Sequence, residues 1–225
     1  MIAGALCLAI TLMIYVLSKR LYKIQPKIYL SPLLITPLFL VIGLVWANIP
    51  YETYHTGGKW LSAMLQPATI AFAVPLYKYY NVLKKHAVEI LISVLSGSIV
   101  AMFSSAVLAE WLHLDNELIS SLIPRSVTTP IAMNVSQIIG GVPNITAVFV
   151  ILTGLLGTML GPLVVKMFRI EGEVARGVLF GTSAHGTGTS KAFELSSLTG
   201  TISSISMILA ALFTLGAAPM LISLL

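Results

Sequence analysis

Apolar residues run along the chain in eight blocks, at about 2–18, 31–49, 60–77, 87–110, 118–139, 144–168, 174–193 and 200–223, separated by short polar stretches. A helix needs roughly 20 apolar residues to cross a bilayer. The pattern therefore predicts an all-α, polytopic chain of about seven or eight membrane segments. The blocks at 87–110, 144–168 and 200–223 are uniform and read as plain spanning helices, with Gly154, Gly157 and Gly161 forming a small-residue face for close packing. Residues 2–18 lack a basic leader and a cleavage site, so they read as a first span.

Three blocks are interrupted. The third contains Pro67-Ala68-Thr69 and Pro75, and interior prolines remove a backbone hydrogen bond and kink a helix. The fifth contains Pro124-Arg125-Ser126-Val127-Thr128-Thr129-Pro130. The seventh contains Gly181-Thr182-Ser183-Ala184-His185-Gly186-Thr187-Gly188-Thr189. Non-helical backbone at membrane depth survives only inside protein or beside a wet cavity. The last two interruptions also carry an ionisable side chain and several hydroxyls, so they predict a place where something polar is handled.

Composition agrees. Hydrophobic residues make up 57% of the 225 and charged ones 9%, against about a quarter in soluble domains. Nothing is left over for a soluble domain, and the chain reads as one integral membrane domain, 1–225, with repeat halves at about 1–115 and 116–225. The net charge of +5 is scattered between apolar blocks rather than gathered into a stripe, which argues against nucleic acid. Cys7 is the only cysteine, so no disulfide can form within one chain.

The cations set an orientation instead. Lys19, Arg20, Lys23 and Lys27 follow the first block and Lys78, Lys84 and Lys85 the third, which predicts both stretches to be cytoplasmic. Tyr51 to Lys59, read as a loop, and the acidic stretch around Asp115 and Glu117 then lie outside. Simple alternation puts Lys166, Arg169 and Arg176 outside as well. A re-entrant hairpin over about 120–140 returns them to the inside.

Arg125 is the first candidate ligand. A guanidinium is costly in the bilayer, normally faces a partner or cavity, and can grip a carboxylate through two parallel bonds. Ser126, Thr128 and Thr129 follow it, and a helix restarting after Pro130 would direct free N–H groups at the same anion. The alternative is a cation snorkelling from a segment end. His185 suits a proton relay or a substrate contact, with Gly181, Gly186 and Gly188 allowing close approach; the alternative is a structural histidine bonded to a carbonyl. Thr187 and Thr189 continue that face. Thr69, near the kinks at Pro67 and Pro75, is a further candidate for the substrate cavity. An echo at an offset of 57 aligns Leu65, Pro67, Leu95, Gly97 and Met102 with Leu122, Pro124, Leu152, Gly154 and Met159. Read with the hairpin, it predicts an inverted repeat, the arrangement of many secondary transporters.

Enzyme chemistry is not expected. The four histidines sit far apart without metal-ligand spacing, so no metal or other cofactor is called for. No phosphate-binding loop is present. Ser183 and His185, two apart, would not face each other on a helix.

These three words in order, together with Gly140-Gly141-Val142-Pro143 and Leu152-Thr153-Gly154, resemble the CidB/LrgB family over essentially the whole chain. The first word usually has lysine where this chain has Arg125, which keeps the charge and changes the donor geometry. The resemblance implies a multi-pass protein of the bacterial cytoplasmic membrane. Bacterial members are described as holin- or antiholin-like modulators of murein hydrolases and autolysis, acting with a small CidA/LrgA-type membrane protein in homo- or hetero-oligomers. Some members are linked to pyruvate uptake, and a related plant chloroplast protein carries glycolate and glycerate. The expectation is a secondary transporter of small monocarboxylates, with proton coupling left open; the alternative is an antiholin-like modulator without transport of its own.

Overall fold

The computed structural model describes residues 2–25, 30–64, 67, 70 and 73–222. Among these the secondary structure is helical throughout: α1 (Ile2–Ile24), α2 (Pro32–Trp46), α3 (Tyr51–Ala63), α4 (Ala73–Lys78), α5 (Tyr80–Lys85), α6 (Ala87–Trp111), α7 (Asn116–Leu122), α8 (Thr129–Ile138), α9 (Pro143–Met167), α10 (Glu173–Leu195) and α11 (Ser197–Ile222). Among the described residues, four helices are long and apolar enough to cross a membrane: residues Ala3–Ile24 of α1, and α6, α9 and α11. Two compact units form, Met1–Ala73 and Val74–Leu225.

In the first unit, α2 has 15 residues, opened by Pro32 behind Ser31. The stretch 51–59, expected as a loop, is instead the body of α3. Pro50 occupies the N-cap and Glu52 the first turn, where a carboxylate favours the helix dipole. Gly57 of α3 lies directly against Gly4 of α1, so the two backbones touch; a carbon added to Gly4 would lie 3.0 Å from the Gly57 nitrogen. Tertiary contact of this kind makes a polar segment helical where its pattern alone does not. The third block falls between α3 and α4, with Pro75 inside α4. Pro67 is exposed, and Thr69 lies outside the described residues.

The second unit is built from α6, α9 and α11 and two interrupted segments between them. The first interrupted segment is α7, a turn, and α8. Its two ends meet: the Val142 N–H donates to Ser121 Oγ at 2.7 Å, although 21 residues separate them. Thr146 Oγ1 donates to Ser136 Oγ at 2.7 Å, tying the returning arm to α9. Ile119 and Ile123 of the outgoing arm share one core with Val135 and Ile139 of the returning arm, and with Met102, Ala106 and Ala109 of α6. Residues 120–142 thus leave and return at the same end of the unit. Its bounds correspond to the stretch of about 120–140 that reads as a hairpin in the sequence.

The second interrupted segment, α10, is also a hairpin. Backbone angles break the helix at Ala184 (φ −133°, ψ 16°) and His185 (φ 41°, ψ −131°). A continuous helix would separate Phe180 from Gly188 by about 12 Å, yet the Phe180 carbonyl and the Ala184 methyl fill the space above Gly188. The same rise would separate Glu173 from Ser196 by roughly 34 Å, yet the Ser196 hydroxyl donates to Glu173 Oε1. Contacts with α11 reverse accordingly. Gly177 and Gly181 of the first arm meet Ile202 and Ser206 in ascending order; Thr189 and Phe193 of the second arm meet Met207 and Gly200 in descending order.

Helix α9 gives both hairpins a common ruler. Ser136 pairs with Thr146, and Ala132 packs with Val150, so the first hairpin climbs from the N-terminal end of α9. Phe180 covers Gly161, Ala184 covers Gly157, and His185 covers Gly154, so the second climbs from the C-terminal end. The hairpins approach from opposite ends and meet at Val150. The predicted glycine face of α9 is consumed in this packing.

Two outcomes check this fold. In a Cys7→Ser background, the pair Glu173→Cys and Ser196→Cys is expected to form a disulfide under mild oxidation, read as linked fragments after proteolysis between them; a straight α10 would leave the pair uncrosslinked. Gly181→Ala would bring its methyl to 2.9 Å from Ser206 Cβ, whereas at Gly186 the nearest atom, Met207 Sδ, is 3.9 Å away. Melting in detergent is expected to show a loss of about 1–3 kcal/mol for the first, as for overpacked cores, and little change for the second.

Candidate functional site

The first hairpin's tip is the Pro124–Thr128 turn. Proline at 124 ends the helical arm, Val127 N–H donates back to the Pro124 carbonyl at 3.3 Å, and Thr128 sits extended at the N-cap of α8. Pro130 occupies the first turn of α8, where its missing N–H costs nothing. Pro124, Ser126 and Val127 are buried, Arg125, Thr128 and Thr129 half-buried, and Pro130 exposed. The backbone of the turn is therefore largely buried, with the Arg125 side chain half-buried.

Arg125 Nε–H donates to Ser105 Oγ of α6 at 2.9 Å, and Ser105 passes its own proton to the Ala101 carbonyl at 2.5 Å. The ion pairs among the described residues are His86–Glu89 and Lys191–Glu194, so Arg125 has no acidic partner there. Its hydrogen bond to Ser105 goes to a neutral hydroxyl and holds the Nε edge. The guanidinium carries further N–H donors on its terminal nitrogens, a fork matched to a carboxylate.

The second tip is the Ala184–His185 break. A positive φ with ψ near −130° is glycine's territory at the first central position of a type II′ turn. A histidine there stores strain of about 1–3 kcal/mol. The imidazole is buried and its Nε2–H donates to the Val150 carbonyl at 3.0 Å, which bolts the tip to α9. Only glycine at 154 leaves room for the ring: an added carbon would lie 2.9 Å from Cε1 and 3.0 Å from Nε2. Ser183 donates instead to the Leu179 carbonyl, so the serine and histidine are not hydrogen-bonded to each other.

The other candidates divide. Thr187 lies against Gly154 beside His185 and donates to the Ala184 carbonyl at 2.9 Å, across the break. Thr189 is fully buried and shares a 2.9 Å hydrogen bond with Ser203 of α11. Gly181 and Gly188 serve packing between arms and against α11, while Gly186 begins the second arm near Met207.

At the level of the backbone the two motifs come together. Val127 packs with Val150 and Ala211, while His185 bonds to Val150 and Gly186 adjoins Met207, one turn from Ala211. Two helix N-termini, at Thr129 and Gly186, thus begin at the meeting point, where first-turn N–H groups have no intrahelical acceptor. The polar ends of the named side chains diverge from there, Arg125 toward α6 and His185 toward α9.

Several participants are not singled out by sequence reasoning. Ser105 lies in a block that reads as a plain span, and Val150 contributes only a carbonyl. The buried hydroxyls of Thr199, Thr201, Ser203, Ser204 and Ser206 make the first half of α11 a polar packing surface. Their density was the available signal, visible as a hydroxyl run entering an apolar block.

Residues 11–224 match the LrgB-like family. Similar proteins include the uncharacterized protein YwbG of Bacillus subtilis (strain 168), 62% identical over 99% of both chains. The uncharacterized protein YxaC of the same organism is 40% identical over 91% of both. The antiholin-like protein LrgB of Bacillus cereus (strain B4264) is 35% identical over 95% of this chain and 93% of its own. No solved structure matches. With the match running through all four long apolar helices and both hairpins, the chain belongs to the LrgB-like family.

Proposed function

We propose that this protein is a secondary carrier of small monocarboxylates, with the anion held where the two hairpin tips meet. The observation that carries the reading is Arg125: half-buried, without an acidic partner among the described residues, and hydrogen-bonded to the neutral hydroxyl of Ser105. An unpaired cation inside an apolar protein calls for an anion. The free fork of Arg125 takes the carboxylate, and Ser126, Thr128, Thr129 and the N-terminus of α8 supply further donors. The N-terminus restarting at Gly186 and Thr187 face the substrate's hydroxyl or keto group. His185 holds the second tip in place, and a change in its bond to Val150 is the route by which proton coupling would act. No covalent chemistry is assigned to it.

The architecture supports the same reading. Helix α6 with the first hairpin and α9 with the second form two successive helix-plus-hairpin units. Their helices start 56 residues apart, at Ala87 and Pro143, and their hairpins 57 apart, at Asn116 and Glu173. Because α6 and α9 run in opposite directions, this is an inverted pair around a common site, and rocking of one against the other gives alternating access. The end bearing Lys84, Lys85, Lys166 and Arg169 is cytoplasmic in this scheme, in the bacterial inner membrane.

The name of the Bacillus cereus relative favours a second reading, an antiholin-like modulator that assembles with a small CidA/LrgA-type membrane protein or with further copies of itself. The glycine face of α9 is occupied by α10, so such a partner would dock on another surface.

Uptake of labelled pyruvate and glycolate into proteoliposomes separates the two. A carrier is expected to show saturable uptake. Arg125→Ala is expected to lower it at least about 100-fold, the scale of removing one member of a buried charge pair. Ser105→Ala should lower it about tenfold, through lost orientation worth about 1–2 kcal/mol. Intact uptake in Arg125→Ala removes the site, and no uptake by the parent protein leaves the assembly reading. For the second tip, His185→Gly relieves strain of about 1–3 kcal/mol while losing one hydrogen bond. It is expected to melt near the parent protein, whereas His185→Ala, which keeps the strain, melts lower. Equal losses in both would mean the tip is not strained.

A further inference from the structure

A cleft of about 850 Å³ runs between α6 and the first arm of α10. On α6 it is lined by one stripe, His86, Glu89, Ser93, Gly97 and Ala101, spaced at three or four residues. That stripe covers about 22 Å of helix, more than half the length of α6. Its mouth lies among His86, Glu89 and Glu173, at the end of the unit that carries the lysines and arginines. At its other end it is lined by Ala101 and Ser183, the latter exposed. Ala101 holds Ser105 and, through it, Arg125; Ser183 immediately precedes the break at Ala184–His185.

Resting on the carrier reading above, we propose that this cleft is the water-filled route by which the carboxylate travels between the cytoplasm and Arg125, and that the conformation described is the inward-open one. Small side chains at Ser93, Gly97 and Ala101 keep the passage wide, and hydroxyls recur along it. Thr182 lines the cleft, and its hydroxyl oxygen is buried without any protein partner. The volume suffices for many waters at about 30 Å³ each. Acidic groups at the mouth are engaged, Glu89 with His86 at 2.8 Å and Glu173 with Ser196.

The opposite end is closed. The depression there, about 330 Å³, ends at Ser120 and Ile139, at the base of the first hairpin, and does not include Arg125. The bonds from Val142 to Ser121 and from Thr146 to Ser136 shut that base. A protein closed at the base of its first hairpin and cleft along α6 as far as Ala101, whose carbonyl holds Ser105, fits one of the two access states of a carrier.

The test uses single cysteines at Ser93, Ala101 and Ser183 in the full chain with Cys7→Ser, and Leu156→Cys on the exposed face of α9 as a lipid-facing comparator. A charged, membrane-impermeant methanethiosulfonate is applied to inside-out and right-side-out vesicles. The three cleft positions are expected to react from the cytoplasmic side only, and the comparator from neither. Pyruvate or glycolate at about ten times its Kd is expected to slow the reaction at Ala101→Cys and Ser183→Cys about tenfold, in proportion to the empty fraction. Adding Arg125→Ala should remove that protection while leaving the labelling. Reaction only with a membrane-permeant maleimide would make the cleft a lipid-filled groove and overturn the route, while uptake sensitive to Arg125→Ala would leave the carrier standing. Labelling from the outside only would overturn the inward-open assignment. Cytoplasmic labelling without protection, in a protein that still transports, would overturn the route to Arg125.

Discussion

Inside an apolar slab a chain can stop being helical only where other protein groups accept its freed backbone. Everything in the second unit follows from where those places are. Both interruptions are placed on the same two turns, Val150 of α9 and Met207–Ala211 of α11, with Val127 and His185 buried at the contact. The contact between the His185 imidazole and the Val150 carbonyl is the narrowest point of this arrangement. It joins the tip of one hairpin to the helix against which the other hairpin's tip is packed.

The hydroxyls divide into those that hold the frame and those that stay open. Ser121, Ser136 and Thr146 close the first hairpin, Ser196 closes the second, and Thr189 with Ser203 binds the second to α11. Such bonds join helices in a setting where apolar attraction between them is weak. Ser126, Thr128 and Thr129 are placed differently, at a tip beside Arg125, a half-buried cation with no acidic partner among the described residues. Ser105 stands between the two classes, because it anchors a frame helix to the Arg125 side chain.

Much of this was legible. Proline and glycine clusters located both breaks because their backbone chemistry permits few conformations, and the misplacement of Lys166, Arg169 and Arg176 called for a fold-back near 120–140 because cations count sides. Of the echo at offset 57, Leu95, Gly97 and Met102 lie on α6 and Leu152, Gly154 and Met159 on α9, while Leu65 lies outside the described residues, and the inverted repeat it suggested belongs to the proposal. Other features were not legible. A glycine-rich stretch such as 181–188 is compatible with a kinked helix or a hairpin, and only packing of Phe180 on Gly188 chooses. Tyr51–Lys59 looked like a loop because its helix depends on Gly57 meeting Gly4.

What the residues alone determined is local: which stretches are apolar enough to be long helices, where the backbone must break, and which breaks carry charge and hydroxyls. Those properties depend on side-chain transfer energies and on φ, ψ restrictions, which each residue brings with it. What the tertiary structure decided is relational. It set the direction in which each break turns, the neighbour that receives each freed group, and the pairing of Arg125 with Ser105 and of His185 with Val150. These depend on atoms 20 to 35 positions apart, and a serine or a carbonyl in a long helix carries no mark of the residue that will reach it.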